Sequence, residues 1–238
     1  MKAIILAAGR GRRLKSLTAR LPKCLLRING KPMLYYQIEA LRRHKIRTIV
    51  MVLGYKHEKI IEYCLKHFRD CMFTFIVNPF YETTNSLVSM WFARGHLDSE
   101  FIYMHSDILF DPAILAKIKQ DNRKAVIAIE QKRCDREDLK VKLKDGCLAA
   151  INKRMTIWEA DGEFIGIAKF KKETALILPR LLDHFVFNKK FMFWFELSWE
   201  TLIKHIRIHA LNVNGKKWIE IDTLSDFRKA NELFSDKE

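Results

Sequence analysis

The chain has 238 residues, 49% hydrophobic and 11% aromatic, enough to bury a sizeable core in one large domain. Its apolar runs are strand-sized, short of the ~20 residues a membrane helix needs, and its five cysteines form no CxxC pair, so no integral membrane segment, disulfide framework or zinc site is expected. A balance of 43 Lys and Arg against 28 Asp and Glu, net +15, favours phosphate-bearing partners, but the charges are spread without a basic block or a nucleic-acid reader motif, which argues against nucleic acid.

In chain order, strands are expected at Lys2–Ala7, Arg47–Leu53, Met72–Val77, Phe101–His105 and Lys124–Glu130. Helices are expected between them, at Pro32–His44, His57–Phe68, Ser86–His96 and Pro112–Asn122; Pro32 and Pro112 suit a helix's first turn. Strict alternation of strand and helix implies βαβ units, a Rossmann-like, doubly wound and mostly parallel α/β sheet. After Glu130 the pattern changes. "LKVKLKDGCLAAINK" reads as a hairpin turning at Asp145-Gly146, and "GEFIGIAKF" as a further strand before a helix from about Glu173. A helix around Phe195–His205, the strands "RIHALNV" and "WIEID", and a last helix from Leu224 close the chain. The expectation is a single domain over 1–238, its later half adding a mixed lobe over the carboxyl edge of the sheet. Charged Arg10, Arg12 and Arg13 directly follow the first apolar run, unlike a secretory leader, so a cytoplasmic location is expected.

The first strand runs into "LAAGRGRRL", Leu6–Leu14. Gly9 and Gly11 permit tight, positive-φ turns, and a nest of backbone amides with arginines beside it binds oligophosphate. It is neither a P-loop nor a dinucleotide GxGxxG, because Leu14 takes the place of the third glycine.

Extended to "LAAGRGRRLKSLTARLPKCLLRINGKPML", the stretch resembles the nucleotidyltransferase (pyrophosphorylase) superfamily, whose pattern is LAAGxGxRL, then T, PK, and a Gly followed by Lys-Pro. "VLGYKHEKI", "VNPFYETTNSLVSMWFAR", "YMHSDILFD", "INK", "GEFIGIAKF" and "WIEIDTLSDFRKA" are similar to later segments of that family. The resemblance implies the GT-A-like nucleotidyltransferase fold, with nucleotide bound by about 1–130 and acceptor by about 131–238. It also implies transfer of a nucleoside monophosphate from an NTP to a phosphorylated acceptor with release of pyrophosphate.

Such a transfer asks the protein for positioning and charge neutralisation more than for covalent chemistry. By the resemblance, Arg13 and Lys23 grip the triphosphate, and Leu6, Ala7, Ala8, Gly9, Gly11, Asn78, Asn85, Ser86 and Ser106 line the nucleotide site. Asp107 and Asp222 are the expected Mg²⁺ ligands, oxygen donors of the kind that ion prefers, with Glu220 as a further candidate. Asp222 could equally cap the last helix, and Asn78, Asn85 and Ser86 could serve only as turn or cap residues. Lys153 matches the lysine that meets the acceptor phosphate.

The segments "YETTNSLVSMW", "GEFIGI" and "WIEIDT" look like those of cytidylyltransferases, which points to CTP and a small phosphorylated alcohol, phosphocholine first among them. Glu163, Trp194 and Glu196, with Trp158, Phe193 and Trp199, could supply the aromatic and acidic cage a quaternary ammonium requires, though clustered aromatics are more often core. A sugar-1-phosphate acceptor, or a non-catalytic binding protein, remains the alternative. A homodimer is compatible with all of these readings.

Overall fold

The computed structural model describes residues 1–235. Aliphatic and β-branched runs form its strands, and amphipathic helices lay their apolar stripes against the sheet they build. The first half runs β1 (Lys2–Ala7), the ribbon strands β2 (Arg27–Ile28) and β3 (Lys31–Pro32), α1 (Met33–Arg43), β4 (Thr48–Leu53), α2 (His57–His67), β5 (Met72–Val77) and α3 (Ser86–Phe92). It continues with β6 (Phe101–His105), β7 (Ile108–Phe110), α4 (Pro112–Gln120) and β8 (Ala125–Glu130). The second half adds β9 (Lys140–Lys144), β10 (Cys147–Asn152), β11 (Gly162–Phe170), α5 (Lys172–Ala175), α6 (Leu178–Phe187) and α7 (Trp199–Leu202). Then come β12 (His209–Asn212), β13 (Trp218–Glu220) and α8 (Leu224–Leu233).

Nine strands form one sheet in the order β5-β4-β1-β6-β11-β8-β12-β10-β9. β5, β4, β1 and β6 pair in parallel, β12 is parallel to β8, and β11 lies antiparallel between β6 and β8. With β10 antiparallel to both β9 and β12, β10 and β11 oppose the common strand direction. Alternation along β1 sends Ala3, Ile5 and Ala7 to a core cluster shared with α1, α2 and α4, and Ile4 to a second shared with α3, α6 and α7. Helices therefore cover both faces. The strand order reverses at β1, with β4 and β5 on one side and β6 on the other. In open α/β sheets, the crevice beyond the carboxyl ends of strands at such a switch point is where ligands bind.

The strands expected at Lys2–Ala7, Met72–Val77 and Phe101–His105 form with those bounds. Lys144 pairs with Cys147 across Asp145 and Gly146, whose φ values of 52° and 72° are those of a type I′ turn. Three elements differ from expectation. The helix from Ser86 stops at Phe92 and gives way to a 3₁₀ turn over Arg94–His96, where Gly95 disfavours continuation. The segment Phe195–His205 is a 3₁₀ turn, tightened by the Ser198 hydroxyl donating to the Phe195 carbonyl at 2.6 Å, and then the single turn of α7. "WIEID" does not join the main sheet: its strand β13 pairs antiparallel with β7 as a separate ribbon.

Candidate active site

The chain leaves β1 at Ala7 and turns at once. Gly11 sits in the left-handed region at φ 65°, and its carbonyl accepts from the Thr18 hydroxyl at 2.9 Å and the Leu14 amide at 3.1 Å. These bonds close a 3₁₀ stretch, Arg12–Thr18, back on the loop. A Cβ on Gly11 would lie 3.1 Å from the Lys23 Cβ and 3.3 Å from the Thr18 methyl. The glycine thus combines a backbone shape L-residues avoid with a close approach to Lys23. Gly11→Ala should cost ~1–2 kcal/mol, a fall of roughly 2–8 °C in Tm for a chain of this size. A Tm unchanged by scanning calorimetry would remove Gly11 from the loop's architecture.

The ribbon of β7 and β13 brings the two aspartates together. Glu220 pairs with Ile108, and the Ile221 amide donates to the Asp107 carbonyl at 2.9 Å, so Asp222 follows β13 beside the turn that follows β6. Asp107 lies just past a strand of the main sheet as expected, whereas Asp222 arrives from the separate ribbon. Nor is Asp222 the cap of α8. Thr223 takes that place in a capping box with Asp226 and leaves the Asp222 carboxylate to the cleft.

Between them lies Lys23. Its ammonium donates to Asp107 Oδ2 at 2.8 Å and to Asp222 Oδ1 at 2.6 Å, and Arg13 donates to the other oxygen, Oδ2, of Asp222. Burial of Lys23 opposes its charge, but Asp107 and Asp222 outweigh that and raise its pKa. Burial likewise opposes the Asp107 carboxylate, yet Lys23 and His105 hold it below its ordinary range. Behind the pair, Glu220 is pushed up to about 7 by burial and then by the charges of Asp107 and Asp222. Asp107 Oδ1 is buried with no hydrogen-bond partner. An unsatisfied buried carboxylate oxygen is costly and fits a cation that completes it.

Tyr103, His105 and Asp107 alternate onto one face by the two-residue period of a strand and its continuation. Gly166 of β11, at φ 84°, leaves room for the ring: a Cβ there would come within 2.9 Å of His105 Cγ. Glu196, buried, accepts from the Tyr103 hydroxyl at 2.7 Å and lies 2.7 Å from His105 Nε2. Burial alone would lower the imidazole's pKa, but Glu196 carries it up to about 9. The same two partners keep the Glu196 carboxyl below its usual range in spite of burial.

A cleft of about 270 Å³ runs over these groups, and Leu6, Ala8, Gly9, Asn85, Ser86, Lys153, Trp194 and Glu196 line it with Asp107 and Asp222. An adjoining cavity meets Ala7, Gly11, Lys23 and Ser106. Arg13 faces both. Asn85 also caps α3, accepting from the Ser86 amide at 2.8 Å, while the Ser86 hydroxyl accepts from the Phe195 amide at 2.8 Å. Two expected residues are placed elsewhere. Asn78 is fully buried, its side chain spent on Thr84, Ser89 and the Phe80 amide, so it shapes the loop behind the cleft instead of lining it. Glu163 faces the side of β11 opposite to its neighbour Phe164; Phe164 lines the cleft, and Glu163 lines an adjoining acid-rich cavity with Lys132. Tyr103 and His105 are not among the residues the sequence singles out, although their positions four and two residues before Asp107, on one strand face, are the signal that could have found them.

A divalent ion's ligands can be drawn from this set. Asp107, with its free oxygen, and Asp222 or Glu220 supply the hard oxygen donors Mg²⁺ takes. His105, Asp107 and Glu220 offer atoms within 4.8 Å of one another, but an imidazole nitrogen already 2.7 Å from Glu196 suits Mg²⁺ less well. Arg13 and Lys23 beside the paired carboxylates of Asp107 and Asp222 suit phosphoryl-group positioning.

Comparison with known proteins places these features in context. The family model described as nucleotidyl transferase matches residues 2–137. The choline-phosphate cytidylyltransferase of Streptococcus pneumoniae (strain ATCC BAA-255 / R6) is 25% identical over 250 residues, covering 100% of each chain. The CTP:phosphoglutamine cytidylyltransferase of Campylobacter jejuni is 27% identical over 95% of this chain and 97% of its own. Among solved structures, a UDP-glucose pyrophosphorylase complexed with UDP-glucose superposes with a TM-score of 0.78 at 18% identity, over 100% of this chain and 99% of its own, a likeness of fold.

Proposed function

The chain belongs to the nucleotidyl transferase family, and from that we propose that it transfers CMP from CTP to the phosphate of a small phosphorylated alcohol, releasing pyrophosphate. The observation that carries this reading is the Lys23 ammonium shared by Asp107 and Asp222, at the mouth of a glycine-turned loop beside Arg13. The use of CTP is supported by the cytidylyltransferase relatives that match over the whole chain.

In this reading an oxygen of the acceptor phosphate attacks the α-phosphorus in line, the bond to the bridging oxygen breaks, and pyrophosphate leaves with that electron pair. Arg13 and Lys23 turn from the carboxylates to the triphosphate and neutralise the charge that builds on the leaving group. Lys153 holds the acceptor phosphate on the opposite wall of the cleft. Mg²⁺, held by Asp107 and Asp222, would offset negative charge on the α-phosphate, a contribution of several kcal/mol to such transition states. No general base is required of the protein, because a phosphate dianion is already an adequate nucleophile. His105 and Glu196, tied to each other, keep the floor of the cleft fixed.

Pyrophosphate release should be fastest with CTP when UTP, dTTP, ATP and GTP are compared on one acceptor. A preference for UTP or dTTP of tenfold or more in kcat/KM would move the chain to sugar-1-phosphate activation.

A further inference from the structure

Resting on that reading, we propose that the acceptor is a phosphorylated compound carrying a second acidic group, and not one carrying a quaternary ammonium. Of the side chains named above for an ammonium cage, Trp158, Phe193, Trp194 and Glu163 each face a lysine or arginine of this chain, Trp199 is core, and Glu196 is taken up by Tyr103 and His105. Arg133 lies 5.0 Å over Trp158, Lys153 5.5 Å over Trp194 and Lys190 5.6 Å over Phe193. Glu163 pairs with Lys132 at 2.7 Å, Glu196 with His105 at 2.7 Å, and Trp199 is fully buried. An ammonium bound by Trp158, Phe193, Trp194 or Glu163 would have to displace a resident lysine or arginine.

The direction in which an acceptor can extend agrees. Lys153 and Trp194 line the cleft and also an open groove of about 890 Å³ that leads away from it. The charged groups of that groove are Arg13, Arg136, Lys140, Lys153 and Arg154 against the single carboxylate of Glu137. Lys140 is buried and spends its ammonium on the carbonyls of Asp135, Arg136 and Asp138. Arg136 and Arg154 are exposed, with no acid paired to either guanidinium among the described residues. Two unpaired guanidinium groups lining the same groove as Lys153 suit a carboxylate or a second phosphate, either of which one arginine can meet bidentately. The acid-rich cavity meets the cleft at Arg13, Glu220 and Asp222, away from Lys153 and Trp194, so a phosphate held by Lys153 points its remainder into the basic groove.

The test compares pyrophosphate release from CTP with 3-phosphoglycerate, glycerol 3-phosphate, phosphoethanolamine and phosphocholine. The expected order of kcat/KM places 3-phosphoglycerate first, at least tenfold above phosphocholine. Arg154→Ala and Arg136→Ala should raise KM for 3-phosphoglycerate several-fold while leaving KM for CTP and for glycerol 3-phosphate in place. Phosphocholine as the best acceptor, or equal losses on charged and neutral acceptors in the arginine variants, overturns this proposal and leaves cytidylyl transfer standing. No pyrophosphate from CTP with any acceptor, while another NTP supports release, overturns the cytidylyl reading and this proposal together.

Discussion

Asp107→Asn and Asp222→Asn should each lower turnover by roughly 10²-fold or more, since loss of ~3 kcal/mol of charge neutralisation corresponds to that factor. The two carboxylates share one lysine, and by the proposed mechanism one metal ion, so they act as a unit. The double variant should therefore be hardly slower than the worse single variant. Folding should survive in all three. In Asp222→Asn the new carboxamide oxygen can still accept from Lys23, and the new amide group faces the exposed Arg13 guanidinium, which can move into solvent. In Asp107→Asn the new amide group must point either at the Lys23 ammonium or toward the site of the buried, unpartnered oxygen. A buried donor without a partner costs about 1–3 kcal/mol, so Asp107→Asn should be the less stable single variant. Activity retained in EDTA, or losses that add strictly, would remove the shared ion from the account.

Lys23→Met has the second large expected effect, and its signature lies in two opposite changes. By the proposed mechanism the variant removes a triphosphate contact, so kcat/KM for CTP should fall on the order of 10²–10³-fold, the usual consequence of losing one charge-stabilising donor. It also leaves Asp107 and Asp222 without their shared cation. Removing one partner of a fully buried pair costs about 3–5 kcal/mol. Here the carboxylate side chains keep 25% and 22% of their surface in solvent, so a smaller loss of ~2–3 kcal/mol, roughly 4–12 °C in Tm, is expected. With the ammonium gone, the paired carboxylates should bind Mn²⁺ more tightly in the absence of nucleotide, read by the loss of the free-ion EPR signal. Weaker nucleotide binding together with tighter metal binding cannot come from a surface lysine. Unchanged Mn²⁺ binding would show that Lys23 does not hold the metal ligands.

Much of this site could be read from the resemblance of the opening segment and later motifs to the family, and the loop that carries it has a physical reason to be legible. The opening loop is local: β1, Gly11, Arg13 and Lys23 lie within a few turns of chain, and its backbone shape demands glycine at a fixed offset. Continuous strand-sized apolar runs likewise marked β1, β5 and β6 to the residue. What escaped was non-local. The three-residue strand β7 is too short to show a period, yet its pairing with β13 is what sets Asp222 beside Asp107. The aromatic segment around Trp194 has the composition of an ammonium cage, and composition cannot show that Lys153, Lys190 and Arg133 come to lie over its rings and that of Trp158. Glu163 looked available beside Phe164 until β11 turned the two to opposite sides. Asn78 sits on a loop that carries nucleotide contacts in the resembling family, but its amide is fully used inside this chain.

The central claim is that this chain moves the α-phosphate of CTP, with its cytidine, onto a phosphorylated acceptor. The direct measurement is incubation of the protein with Mg²⁺, CTP labelled at the α-phosphate and the four phosphorylated acceptors, followed by separation of the nucleotides. Label should move from CTP into a new CDP-linked product in step with unlabelled pyrophosphate, and the transfer should vanish in Lys23→Met and in EDTA. Label that stays in CTP with every acceptor, or passes only to free CMP, would contradict the account.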